Sequence, residues 1–122
     1  MKTVASLKRK LWPIFSNYIR RRDNFTCITC GAKEKIMHAG HFIGRNGHSN
    51  TLFDEMNVNA QCPRCNLWKE GEKPTYALKL IEKYGHEEFK ALVKRGNQVK
   101  QFRVKELEEM IEEYKIKLKE LN

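Results

Sequence analysis

The sequence predicts an α+β fold in which a zinc-stapled hairpin and short helix follow one helix and precede three more. Three observations carry that expectation. Cys27-x-x-Cys30 and Cys62-x-x-Cys65 are two pairs with the spacing of a tetrahedral four-thiolate zinc site. Between the pairs, two short segments of loose alternation flank a loop marked by Gly44, Asn46, Gly47 and Asn50, the pattern of a hairpin. Outside the pairs, apolar residues recur every three or four positions, the period of amphipathic helices. A length of 122 residues makes one domain, with a modest core helped by a metal staple. It divides into a basic arm and helix (1–24), a zinc-bound core (25–71) and a helical C-terminal part (72–122).

In chain order, residues 2–10 are a cationic lead-in ending in Lys8, Arg9 and Lys10. Pro13 suits the first turn of a helix, where its missing N–H costs nothing. Ile14, Phe15, Tyr18 and Ile19 form that helix's apolar stripe, and Arg20, Arg21 and Arg22 close it. Residues 25–32 hold the first cysteine pair in a zinc-knuckle turn that ends at Gly31. Residues 36–43 and 57–61 are the two strands, and Pro63 opens a short helix through Cys65, Asn66 and Lys69 to near Gly71. Helices over 75–84 and 87–95 end at Gly85 and Gly96. The last helix, 104–121, places Val104, Leu107, Ile111, Tyr114, Leu118 and Leu121 at alternating spacings of three and four. That seam either joins two chains as a homodimer or packs on the protein's own core.

The net charge of +9 is uneven. Residues 1–24 hold seven Lys/Arg against one Asp, whereas 25–70 hold five against four and 71–122 hold twelve against ten. A basic arm beside a near-neutral body suits a polyanion, nucleic acid above all. Membrane spans are not expected: 32% of residues are charged, mean hydropathy is −0.70, and the uncharged stretch 11–19 is too short and contains Pro13. The basic start is followed by no apolar run with a cleavage site, so the expected location is the cytoplasm. Thiols stay reduced there, which favours zinc over two disulfides.

Four thiolates close the coordination sphere of zinc and leave no place for water, so this Zn²⁺ is structural. The chemistry then falls on His38-Ala39-Gly40-His41-Phe42, on Asn57, and on Asn66 just after the second pair. His41, fixed on a strand, suits a general base because imidazole changes charge near neutral pH. Asn66 lies nine residues after Asn57, and its amide oxygen is a hard ligand suited to Mg²⁺. Arg45, Arg64 and Lys69 flank the site and join Lys8, Arg9, Lys10, Arg20, Arg21 and Arg22 as DNA-binding candidates. Trp12 and Trp68 are expected to be packing residues, and His48 a surface one.

This spacing resembles the HNH nuclease motif, with its ββα-metal arrangement of strand, loop, strand and helix. The resemblance implies His41 as base, with Asn57 and Asn66 completing the catalytic set and a Mg²⁺ or Mn²⁺ cofactor. Asn57 braces the long loop rather than touching metal. Many HNH sites supply a second metal ligand immediately before the base, where this chain has Gly40. His38 is the nearest substitute: it either binds the cation, favouring Mn²⁺, Co²⁺ or Ni²⁺, or packs and contacts phosphate.

The chain also resembles the NinG, or Rap, recombination proteins of lambdoid phages. The likeness runs from Tyr18-Ile19-Arg20 and Arg22-Asp23 through Cys27-Ile28-x-Cys30-Gly31 and Ala39-Gly40-His41. It continues through Asn57, Gln61-Cys62, Cys65-Asn66, Lys69, Gly71 and Tyr76 to Lys119. The family implies a phage or prophage product acting as a structure-specific endonuclease on branched recombination intermediates, including Holliday junctions and strand-invasion loops. Its lambda member has aspartate where His38 stands and an N-terminal extension, so full substrate selectivity is not carried over. The leading expectation is thus a metal-dependent DNA endonuclease. The alternatives are a non-catalytic zinc module that binds nucleic acid and an interaction protein that recruits partners through its terminal heptads.

Overall fold

A computed structural model describes residues 2–121. The first helix, α1 (Val4–Arg22), starts at Thr3, whose hydroxyl accepts from the Ser6 amide while Ser6 Oγ accepts from the Thr3 amide. Satisfying two end donors reciprocally lets the helix begin well before Pro13. The expected cationic lead-in is therefore helical almost throughout, and Pro13 lies inside the helix rather than in its first turn. Its ring faces solvent, and Ser16 Oγ donates to its carbonyl at 3.3 Å. Leu7, Leu11, Phe15 and Ile19, spaced by four, form the buried stripe.

Two strands follow, β1 (His38–His41) and β2 (Val58–Gln61), antiparallel with His38 opposite Gln61 and His41 opposite Val58. Both are shorter than expected, because past His41 the pairing changes character. Phe42 N still donates to Asn57 O at 2.9 Å, and then the Asn57 side chain brackets Ile43 in place of a partner strand. A short π-helical turn, Arg64–Trp68, comes next, closed by Lys69 N on Arg64 O at 3.0 Å. Three helices complete the chain: α2 (Lys73–Tyr84), α3 (His86–Gly96) and α4 (Val104–Glu120). A small sheet among helices is the expected α+β class.

The main core lies between α1 and α4. Leu107, Ile111 and Tyr114 of α4 meet Leu7, Leu11, Phe15 and Ile19, with Phe53, Val58 and Phe102 filling the ends. Phe15 meets the Tyr114 and Phe53 rings edge-on, at 4.9 and 5.6 Å between centroids. Each such side chain contributes about 1.5–3 kcal/mol when fully buried. The inner part of the last helix's seam, Leu107, Ile111 and Tyr114, thus packs on α1, as one of its two readings expects. A second core holds Tyr76, Leu80 and Leu92 of α2 and α3, and Tyr76 Oη donates to Gly40 O at 2.7 Å, tying α2 to the hairpin.

Arg22 and Asp23 join α1 to the sheet. The Arg22 guanidinium donates to Glu55 O, Val58 O and Asn59 Oδ1, and pairs with Asp23, whose Oδ2 accepts from the Ala60 amide. Arg22 was expected among the DNA-binding side chains. Its donors are instead turned inward to two backbone carbonyls and to the Asn59 and Asp23 side chains.

Candidate functional site

The four cysteines converge. Gly31, at φ +78°, turns the knuckle back so that Gly31 N donates to Cys27 O and Cys27 N to Ala32 O. Cys62 directly follows β2, and Cys65 is the buried residue of the π-helical turn. All four Sγ atoms lie within 4.8 Å of one another, and Cys30 and Cys62 are 3.7 Å apart. Sulfurs about 2.3 Å from a tetrahedral zinc stand about 3.8 Å apart, so this cage fits the ion. Burial raises the Cys27 pKa, but hydrogen bonds from Thr29 and from the Cys62 and Cys30 amides prevail and bring it to about 6. Burial pushes Cys65 up to about 12. One thiolate is thus prepared beside thiols that a dication would deprotonate. The set can hold a structural zinc.

Beside the knuckle, Trp12, Ser16, Arg20, Met37, His38, Ala39, His41, Arg45 and Asn66 line an open cleft of about 430 Å³. The His41 ring stacks on Trp12, 5.2 Å between centroids and 19° from parallel. His41 Nε2 lies 3.0 Å from Leu52 O, so Nε2–H donates there and Nδ1 is left as the proton acceptor. Burial lowers the His41 pKa below 6.5; the Leu52 carbonyl opposes this, and Arg45 and Lys73 add to it. The imidazole is therefore neutral at neutral pH. The Lys73 ammonium donates to the carbonyls of His41 and Phe42 and pins the strand behind the ring.

Asn57 is fully buried away from the cleft surface. Its Oδ1 accepts from Ile43 N at 2.7 Å, and Nδ2 donates to Ile43 O and Thr51 O, both at 3.0 Å. It is a brace for the loop that carries the Leu52 carbonyl, not a residue that meets a substrate. Asn66 and His38 do come together, with Asn66 Nδ2 donating to His38 Nδ1 at 2.9 Å. Gly40 explains the remaining space. A Cβ there would collide with Gln61 Oε1 and lie 2.9 Å from Asn66 Oδ1. Gln61 Oε1 is buried without a donor, and among the described residues Asn66 Oδ1 is given none either. Two donor-free amide oxygens facing one glycine suit a divalent cation, although no carboxylate lines the cleft.

Of the basic candidates, Arg20 lines the cleft and Arg45 stacks over Trp12, 5.0 Å from ring centroid to guanidinium carbon. Arg9, Lys10 and Arg64 are exposed, whereas Lys69 lies 3.5 Å from Glu72. Lys8 reaches over Phe102, and Arg21 borders a separate groove beside α4. His48 is half-buried, its Nδ1 2.6 Å from Gly96 O. Trp12, Ser16 and Gln61 are site residues that motif reading missed. Residues 12, 16 and 20, four apart on one helix face, were the available signal.

The family profile described as "Bacteriophage Lambda NinG protein" matches residues 1–122. The "Protein ninG" of Escherichia phage 933W is 32% identical over 106 residues, covering 85% of this chain and 52% of that protein. The ninG protein of Escherichia phage lambda is 31% identical over the same length and shares, and that of Salmonella phage P22 is 37% identical over 70 residues, 56% of this chain and 34% of the relative. The chain spans about half the length of the first two of these curated relatives. No solved structure matches it. With a profile that runs its whole length and cysteines that meet as that resemblance requires, the chain belongs to the NinG family of phage proteins.

Proposed function

We propose that this chain is a metal-dependent DNA endonuclease of the HNH class, acting on branched recombination intermediates. The observation that carries the proposal is His41: its Nε2–H is committed to Leu52 O, its pKa is lowered, and it lines a cleft with Arg20 and Arg45. A neutral imidazole with one nitrogen tied and the other open can take a proton from water as that water attacks phosphorus. The bond to the leaving sugar oxygen then breaks, and that oxygen is protonated from solvent. Arg20 and Arg45 are placed to hold the phosphate, and Trp12 keeps the imidazole plane fixed. Asn66 and Gln61, with His38 beside them, would hold the divalent cation. When bound, it supplies positive charge to the phosphate and leaving oxygen. The preference for branched DNA comes from family resemblance.

A cleft without a carboxylate, with Gly40 where a second ligand often stands, favours a second reading: a zinc module that binds DNA without cutting it. One experiment separates them. Supercoiled DNA and a four-way junction are incubated with the protein and Mg²⁺ or Mn²⁺, using the wild type and His41→Ala. The endonuclease reading expects cleavage by the wild type and a loss of about 10²–10⁴-fold in the variant, with DNA binding retained. Because burial lowers the His41 pKa below its ordinary 6.5, the acid limb of the rate profile should reach its half-way point below that pH. Binding without cleavage at any metal concentration leaves the second reading.

A further inference from the structure

The π-helical turn ends in an exposed indole. Trp68 is 85% exposed and its neighbour Leu67 60%. Cys65 turns inward to the other thiols, and Leu67 and Trp68 stay on the outer side. Among the described residues, no ring or cation packs on Trp68. Two large apolar side chains side by side in water offer a contact surface, because leaving them bare forgoes their burial. Its setting identifies the occupant. Arg64 stands four residues earlier in a turn closed by i→i+5 hydrogen bonds, which puts it on the same face as Trp68. Asn66, two residues from each, lies on the other side of the turn and lines the cleft. Lys69 follows directly but pairs with Glu72 at 3.5 Å, so Arg64 is the cation this face offers, on a chain that carries +9 as a whole. An indole on the same face of the turn as a guanidinium complements an unpaired nucleobase with its phosphate.

We propose that Trp68, with Leu67 and Arg64, is a stacking platform for an unpaired nucleotide, so that this face selects DNA with bases out of the helix. The inference rests on the chain binding DNA, as the proposed function requires, but not on its cutting it. A base within a paired duplex has both faces covered by its neighbours. An unpaired base offers one face to the indole, and each base–aromatic stack is worth about 1–3 kcal/mol of binding.

The test compares the affinity of the full chain for a duplex with a short unpaired bulge and for the same duplex fully paired, without Mg²⁺ or Mn²⁺. Trp68→Ala should weaken binding to the bulged duplex about tenfold and change binding to the paired duplex by less than about twofold. Trp68→Phe should keep most of the wild-type preference. Zinc content and circular dichroism should be unchanged, since the side chain supports nothing inside the fold. Equal losses on both duplexes, or no loss on either, would overturn the platform, the second outcome marking the patch as a protein-contact surface. The two proposals fail separately. A protein that prefers the bulge through Trp68 but never cleaves refutes only the endonuclease. One that cleaves while Trp68→Ala leaves both affinities unchanged refutes only the platform.

Discussion

At the scale of single residues, the site depends on what Gly40 lacks. Gly40→Ala places a methyl against Gln61 Oε1 and Asn66 Oδ1. Gln61 cannot easily withdraw, because its Nε2 donates to Gly71 O at 2.7 Å and to Thr29 Oγ1 at 3.3 Å. The expected outcome is a loss of about 1–3 kcal/mol in urea unfolding, with Asn66 displaced from His38. Asn57→Ala strips the partners from Ile43 N, Ile43 O and Thr51 O at a fully buried site. Orphaning one buried backbone group costs about 1–3 kcal/mol, and here three are affected. The loop bearing Leu52 O should loosen, which raises amide exchange around 43–52 and removes the hydrogen bond that orients His41. The convergence of the cysteines, and the meeting of His41 and Asn66 in one cleft, were legible in the sequence because they follow from spacing along the chain. Trp12 was not, since an aromatic stripe residue that packs in a core and one that stacks on the His41 imidazole look alike until the hairpin is docked.

At the scale of elements, Glu55 holds the two long helices to the central loop. Its carboxylate accepts from Tyr18 Oη of α1 at 3.2 Å, and from Tyr114 Oη and Lys117 Nζ of α4, each at 2.8 Å. Burial raises the Glu55 pKa, but the hydrogen bonds from Lys117 and Tyr114 prevail, and its net value falls below 4.5. A carboxylate with a depressed folded pKa contributes stability that is complete above its unfolded value and lost as pH falls through the folded one. Glu55→Gln should therefore lower the urea midpoint near pH 7, and the gap from wild type should close below about pH 4.5. A gap that stays constant from pH 7 to 3 would mean the charge of Glu55 contributes nothing to docking α4. Glu55 was invisible to sequence reading because its partners lie 37, 59 and 62 residues away. Local signals did place all four helices and both strands. Where they slipped, on Pro13 and on the strand ends, a capping box and a side chain standing in for a strand decided the outcome.

At the scale of the whole molecule, charge and metal act together. If Arg9, Lys10, Arg20, Arg45 and Arg64 meet phosphates, the dependence of log K on log salt should be steep, and Arg9→Gln with Lys10→Gln should reduce its slope by about two. Arg22→Gln should instead lower stability, because its donors serve the sheet. The four-cysteine cage links the knuckle that follows α1 to the end of β2 and the adjoining π-helical turn, 32 residues separating Cys30 from Cys62. Removing the metal leaves four thiols, Cys65 among them with its pKa raised by burial, around an empty centre. The α1–α4 core does not depend on that centre, since its buried side chains lie in a separate cluster. Stripping zinc with a strong chelator should thus leave most helical circular dichroism while amide protection collapses around residues 25–35 and 60–71. A metal present at a thousand times its Kd contributes about 4 kcal/mol. For a chain of this size, losing that amount lowers Tm by roughly 15 °C. Cys62→Ser should reproduce both effects without chelator, and metal analysis of the wild type should give one zinc per chain. A zinc-free protein that melts at the wild-type temperature would show that these thiols pack as ordinary buried cysteines and that the turn bearing Asn66 and Trp68 is held by other contacts.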